Sequence, residues 1–444
     1  MRFVILTFLL LWSGAGLAAN WLDAMLAYDA KDYKSAREGF TELLEVGNDM
    51  AAYNLAAMAY HGEGEDVDLV KAVSLFELAG VLGHPSAGQL ASQLKAKLTP
   101  EQSQSIQHIL ASLQEQVFIP KIEPQTTKHA EHEMPTAIKR AHPRYPRNAA
   151  INGQFGYVNL RFLVDESGSV TSVDTLDAFP QGVFEKSAIN AVKRWKYQPG
   201  DKKHLVRVKL DYTLGDGYID APQLTKLIKK ENLWHYAVAG VPNYQEVLGT
   251  LLSLASSYSQ HYFVEDETAK VSAELPDLSF FASKKTPNVK IEQFSGWATI
   301  TLNERGIITE VSNRHFYPDS QNIDLLGLQV SKGGSAGEYR INRLSDKLSA
   351  DINVRHVIKV VPSLTPYFWW ELAARNGDQR AQQIMAANDP RWERYLLSKK
   401  DPVVMAWAGS RMILEGDRQQ GMDLLEHAIA LRYPQAKELK KQLM

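Results

Sequence analysis

The sequence predicts a multidomain α+β protein. It has α-helical repeat hairpins at its front, a small ββαβ unit, a central mixed region with β character, and further repeat-like helical hairpins at its end. Three observations carry this. Residues 20–118 have helical spacing and match themselves at a fixed offset. Residues 156–212 read strand, strand, helix, strand from their alternation. Residues 364–444 return to the offsets of the front segment. The 444 residues, 45% hydrophobic and 23% charged, are enough for several folded domains.

The opening stretch, MRFVILTFLLLWSGAGLAAN, reads as a secretory signal peptide over residues 1–19. Arg2 is its positive start, Phe3 to Trp12 its apolar core, and Ala19 the last residue before cleavage. Left uncleaved, the same run is marginally long enough to be an anchor. No other apolar run approaches the roughly 18 residues of a membrane span. The chain has no cysteine, so thiol catalysis, thiolate metal sites and disulfides are excluded. Its net charge of -2 gives no whole-chain case for nucleic acid.

In residues 20–118 an offset of 36 superimposes Ala36 on Ala72, Phe40 on Phe76, Gly47 on Gly83 and Ala51 on Ala87. Alanine allows two helices to approach, phenylalanine fills the groove between them, and glycine ends a helix in a left-handed turn. The second unit, AAYNLAAMAYHGEGEDVDLVKAVSLFELAGVLGHPSA, resembles the SEL-type, tetratricopeptide-like repeat. The resemblance rests on Tyr60, the Gly62-Glu63-Gly64 turn, Lys71-Ala72, Ala79, Gly83 and Ala87. It implies an interaction scaffold. At the other end, Trp370, Ala373, Gly377 and Ala381 keep the offsets of Phe76, Ala79, Gly83 and Ala87. Leu425, Ala428, Arg432 and Ala436 keep them again. Residues 364–444 are therefore expected to form hairpins of the same style, with Asn388-Asp389-Pro390 and Asp401-Pro402 between helices.

Residues 119–135, IPKIEPQTTKHAEHEMP, read as an exposed linker. His129 and His132 lie near Glu131 and Glu133, but the spacing is not that of a zinc protease and no metal is expected.

The HPRYP stretch at 142–146 stops any helix and opens the ββαβ unit, residues 136–216. Asn148 to Asn152 reads as a short helix. From Gly156, the residues Val158, Leu160, Phe162 and Val164 share one face of a strand. Asp165-Glu166-Ser167-Gly168 is a hairpin turn, and Val170 and Val173 begin the return. Pro180 and Gly182 break the chain. Phe184 to Tyr197 reads as an amphipathic helix through Phe184, Ala188, Ala191 and Trp195, ended by Pro199-Gly200. The last strand, residues 204–214, alternates Val206, Val208, Leu210 and Tyr212 against Arg207, Lys209 and Asp211.

This unit closely resembles the C-terminal domain of TonB-family proteins. The residues that match are Pro143, Tyr145-Pro146, Ala149, Gly153, Gly156, Val158, Phe162, Val164, Gly168, Val170, Val173, Pro180, Gly182, Phe184, Ala188, Ala191, Val192, Trp195 and Pro199. The resemblance implies a periplasmic domain of Gram-negative bacteria that grips an extended peptide of outer-membrane transporters by strand addition. Carried over, the gripping strand spans His204, Val206, Arg207, Val208, Lys209, Leu210 and Tyr212, with Tyr145 and Pro146 as the YP segment. Eight basic residues between Phe184 and Lys209 (Lys186, Lys193, Arg194, Lys196, Lys202, Lys203, Arg207 and Lys209) stand against Glu185 and Asp201. Such a module can attract acidic groups, or simply keep a helix face solvated and an edge strand from aggregating.

The chain departs from an energy-transducing TonB in three ways. Its apolar start reads as cleavable, its connector of about 20 residues extends at most about 70 Å, and the unit is internal. Within residues 217–363, Leu224 to Lys230 and Tyr244 to His261 read as helices, and Glu292 to Val311 as a hairpin. A sandwich-like insert is expected there, with a degenerate second copy of the ββαβ unit as the alternative. No phosphate loop, GxSxG elbow or paired-carboxylate motif is present, so a binding protein without cofactor or catalysis is expected. His315 and His356 read as ordinary packed or surface histidines, and Tyr367-Phe368-Trp369-Trp370 as core. The expected function is a periplasmic protein that binds partners by strand addition and through its repeats, contributing to TonB-dependent transport. The alternative is a periplasmic scaffold for envelope, peptidoglycan or secretion assembly with no transport role. Expected partners are outer-membrane TonB-dependent receptors or other envelope proteins, with peptidoglycan a further candidate and nucleic acid excluded. Motor proteins of the inner membrane enter only if residues 1–19 remain as an anchor facing the periplasm.

Overall fold

The computed structural model describes residues 20–120, 135–213, 221–255, 260–266, 269–281, 286–316, 323–333, 336–343 and 352–444. The expected leader, residues 1–19, and most of the expected linker, with His129 and His132, lie outside the described residues. The chain is multidomain and mixed α+β. It divides into two compact units, one of residues 1–212, 236–247 and 369–444, the other of residues 213–235 and 248–368.

The first unit opens with six helices: α1 (Trp21–Asp29), α2 (Tyr33–Glu45), α3 (Asp49–His61), α4 (Leu69–Leu82), α5 (Ala87–Lys95) and α6 (Pro100–Glu115). Side chains of Asn20, Asp32, Asn48, Asp68 and Thr99 accept amide hydrogen bonds at the starts of α1, α2, α3, α4 and α6. Gly62 and Gly83 end α3 and α4 at φ 71° and 114°, where a side chain would be strained. Gly64 lies against Tyr33, 2.6 Å from where its own Cβ would stand. The self-similar positions Ala36, Phe40, Ala51, Ala72, Phe76, Ala79 and Ala87 are all buried. The chain stays packed beyond 118: Ile119 is fully buried, so the exposed connector begins later than its proline content suggests.

Next come β1 (Ala137–Lys139), α7 (Arg147–Ile151), β2 (Gly156–Val164), β3 (Val170–Phe179), α8 (Glu185–Val192), β4 (Lys196–Tyr197) and β5 (His204–Tyr212). The three long strands form an antiparallel sheet in the order β3-β2-β5. The helix expected to run to Tyr197 ends at Val192. Its last residues instead form β4, which pairs with β1, and Trp195 Nε1 donates to Ala141 O at 2.9 Å. Pairing with the segment before the domain overrides the helical spacing there.

The chain continues through α9 (Ala221–Lys230), α10 (Leu233–Val238), α11 (Pro242–Ala255), β6 (Gln260–Val264), β7 (Gly296–Leu302), β8 (Ile308–Phe316), β9 (Gly337–Arg343) and β10 (Asn353–Val360). The helix expected to reach His261 is described over Pro242–Ala255, and His261 lies in β6, parallel to β10. The aromatic and β-branched run HYFV suits a strand once a partner exists. The expected hairpin is present as β7 and β8. The expected sandwich is not: the described strands form one mixed sheet, in the order β6-β10-β9-β7-β8. One face of it is covered by Val289, Ile291, Phe294, Leu325 and Val330, so loop segments take the place of a second sheet.

Six helices close the chain: α12 (Pro366–Arg375), α13 (Gln379–Ala386), α14 (Pro390–Ser398), α15 (Pro402–Glu415), α16 (Arg418–Ala430) and α17 (Pro434–Leu443). Asp389-Pro390 and Asp401-Pro402 cap and start α14 and α15. The front and rear helices of this unit meet through buried polar groups. Arg375 pairs with Glu371 at 2.8 Å and donates to the carbonyls of Gly47 at 2.8 Å and Ile119 at 3.1 Å. Asn48 donates to Asn376 Oδ1 at 2.7 Å, and Asn376 donates to Gln245 Oε1 at 2.8 Å.

Candidate functional site

Strand β5 is the centre of the site. Its even positions face α8: Val206 and Tyr212 are buried, and Val208 and Leu210 pack partly buried against the same core of Phe162, Phe184, Ala188 and Trp195. Its odd positions face the other way, where the C-terminal helices dock. Leu205 packs there on a cluster of Leu163, Met405, Trp407 and Leu425. Arg207 donates to Ala387 O and, at 3.3 Å, to Asn388 Oδ1. Lys209 lies 5.0 Å from the Tyr157 ring centre and 3.3 Å from Asp211. His204, at the start of the strand, pairs with Val164 of β2.

Two acids fix this docking, Asp174 partly buried and Asp177 buried. Asp174 accepts from Arg161 Nε at 3.0 Å, Trp407 Nε1 at 3.0 Å and the Tyr433 hydroxyl at 2.6 Å. The Arg161 guanidinium lies 4.5 Å over the Trp407 ring. Burial, then the Asp174 charge, pushes the Tyr433 phenol well above its ordinary range. Asp177, with its side chain 1% exposed, takes Arg380 and the Tyr157 hydroxyl. Burial alone would lower the pKa of Arg380, but Glu246 and Asp177 outweigh it and raise it.

One side of β5 is thus taken by β2, and among the described residues no strand pairs with the other. That edge runs for nine residues, about 30 Å of backbone at roughly 3.3 Å each. Its outward amides and carbonyls form a template for an incoming strand.

The remaining motif residues support this edge from behind. The Tyr145 hydroxyl donates to Gln154 O, and its ring sits edge-on to Phe184 at 5.5 Å and Tyr212 at 5.8 Å. Burial raises its pKa. Tyr145 therefore braces the end of β5 through Tyr212, and Pro146 leads into α7. A Cβ on Gly156 would overlap the Phe179 carbonyl, and one on Gly168, at φ 76°, the Tyr197 carbonyl. Pro180 follows a cis peptide bond. Gly182 donates its amide to Glu185 at 2.6 Å. Pro199 lies in the exposed turn before β5, and Lys186, Lys193, Arg194, Lys196 and Lys202 are exposed.

Sequence reasoning missed the docked face. One signal was available: Leu163 breaks the alternation of β2 yet is fully buried. A separate cavity of about 350 Å³ in the front helices is lined by Tyr53, Tyr60, His61, Phe76, Leu90 and Lys97, among others.

Comparison with known proteins bears on the same segment. Residues 141–214 match the family described as Gram-negative bacterial TonB protein C-terminal. Protein TonB of Escherichia coli (strain K12) is 39% identical over 66 residues, 15% of this chain and 28% of that relative. Protein TonB of Yersinia enterocolitica is 34% identical over 64 residues, 14% of this chain and 25% of the relative. The chain spans about a quarter of the length of these curated relatives. The solution NMR structure of the Pseudomonas aeruginosa TonB CTD matches with a TM-score of 0.18 and 18% identity, covering 20% of this chain and 93% of that one.

Proposed function

We propose that this TonB-family envelope protein grips an extended segment of an envelope partner along the outer edge of β5, as a binding protein and not an enzyme. The observation that carries the reading is the nine-residue edge of β5, which has no strand partner among the described residues. The strand is backed on one face by the α8 core and on the other by the C-terminal helices. An added strand would then join a strand already held, so little ordering cost falls on this side of the complex. Main-chain pairing would supply affinity, and side-chain positions such as Arg207 and Asn388 would select among partners. In the periplasm the partners would be outer-membrane TonB-dependent receptors, and the role a contribution to transport across that membrane. The front helices, with their aromatic cavity, would engage a second envelope protein.

A photo-crosslinking residue at Arg207 or Asp211, both exposed, tests this in cells. Adducts with receptor segments are expected, and the same residue at Lys193, just after α8, should give none of them. Adducts solely with wall or assembly proteins would support the scaffold reading and remove the transport role.

A further inference from the structure

The second unit holds a cationic cluster that the partner-binding strand does not use. The strand register puts His261, Arg355, Arg340, Trp297 and Thr299 on one face of the five-stranded sheet. That is the face opposite the core of Ala298, Ile300, Tyr339 and Ile341. Arg340 and Arg355 are direct cross-strand partners. Like charges so placed destabilise a sheet. Among the described residues neither guanidinium has a carboxylate partner: Arg340 donates to the Asn313 carbonyl at 3.3 Å and to Thr299 Oγ1 at 3.5 Å. The acids on this face lie further along: Glu310 and Glu338 oppose Thr301, and Glu265 pairs with Lys359 at 3.4 Å.

The pair is also held in place. The Arg340 guanidinium lies 3.7 Å from the Trp297 ring centre, and His315 stacks on the same indole at 5.4 Å. Stacking fixes the plane of the guanidinium and leaves its edge donors for an anion. Burial, then Arg355, lowers the pKa of Arg340 to about 10. Burial, then Arg340 and Arg355, lowers His261 to about 4. His261 is therefore neutral near pH 7 and can donate or accept beside the two cations. Phe263, on the same face by its register with Lys359, is 47% exposed.

We propose that this face binds the phosphate of an anionic phospholipid headgroup. Arg340 and Arg355 would hold the phosphate, and Phe263 would meet the apolar part of the same molecule. Two forked guanidiniums match phosphate oxygens, and an exposed aromatic on the same face, opposite Lys359 and about 13 Å along β10 from Arg355, fits an amphiphile better than a free ion.

Flotation of the full chain with vesicles of phosphatidylcholine, with and without phosphatidylglycerol, is the test. Binding is expected only with phosphatidylglycerol, weakening as salt rises. Arg355→Gln should reduce it at least about tenfold, and Arg355→Lys should retain most of it. Among the described residues Arg355 has no aromatic stack to lose, and removing one of two like charges should leave Tm unchanged or raised, so loss of binding would not report misfolding. Equal binding to both vesicles, or wild-type binding by Arg355→Gln, would overturn the proposal. So would binding of inorganic phosphate at this face without any binding to vesicles, which would assign the site to a free anion.

Discussion

Replacing Arg380 with alanine is expected to cost about 3–5 kcal/mol of stability, the usual cost of breaking a buried ion pair from one side. Arg380 Nε donates to Asp177 Oδ1 at 2.9 Å, and Nη2 reaches Asp177 and the Ala178 carbonyl. Its second acid, Glu246, is 3.6 Å away. The two carboxylate side chains are 1% and 5% exposed. Removing the cation takes the Arg380 charge away from two carboxylates that are themselves almost wholly buried. Tyr157 would still donate to Asp177, which tempers the loss without restoring a counter-charge. In urea unfolding the midpoint should fall with little change in slope. The double change Arg380→Ala with Asp177→Asn should cost less than the sum of the single changes. Strict additivity would mean that the pair does not hold the C-terminal helices to the sheet.

The second large effect belongs to Gly156. It opens β2 between two strands, opposite Tyr212 of β5, and a Cβ there would overlap the Phe179 carbonyl and stand 3.0 Å from Phe184 Cε2. Backbone cannot swing aside as a flexible side chain would, so β3 or the start of β2 must move. Gly156→Ala is expected to destabilise by at least about 3 kcal/mol. Gly182→Ala makes the contrast. Its φ is 77°, but nothing lies within 4 Å of its added Cβ, so only conformational strain of about 1–2 kcal/mol is expected. Thermal melts of the two variants separate close approach from backbone conformation. Equal losses would contradict the packing at Gly156.

The ββαβ unit was legible in the sequence because each cue was local. Alternation marked β2 and β5, Asp165 to Gly168 marked the turn, and Phe184, Ala188 and Ala191 marked a helix with one apolar face. The helix ends of the front hairpins were legible for the same reason, through Gly62 and Gly83. The parts that were missed depend on distant residues. Lys196 and Tyr197 became a strand because Ala137 and Lys139 reach them. Gln260 to Val264 became a strand because β10 supplies a parallel partner. The docking of the C-terminal helices was hidden because Arg161, Asp174 and Asp177 are charged residues of the kind a sheet ordinarily turns to solvent. Their partners, Trp407, Tyr433 and Arg380, come more than two hundred residues later. The edge of β5 was legible as a position in the domain. The braced state of that strand, with Arg207 tied to Ala387 and Asn388, was not.

The central claim is that a partner adds as a strand along β5. Amide hydrogen exchange on the full chain, with and without a synthetic peptide of the segment crosslinked from Arg207, tests it most directly. Strand addition predicts new protection at alternate amides within residues 204–212, with β2 and β3 unchanged. Protection confined to α8 or to the front cavity around Tyr53 and Tyr60, with none in β5, would contradict it.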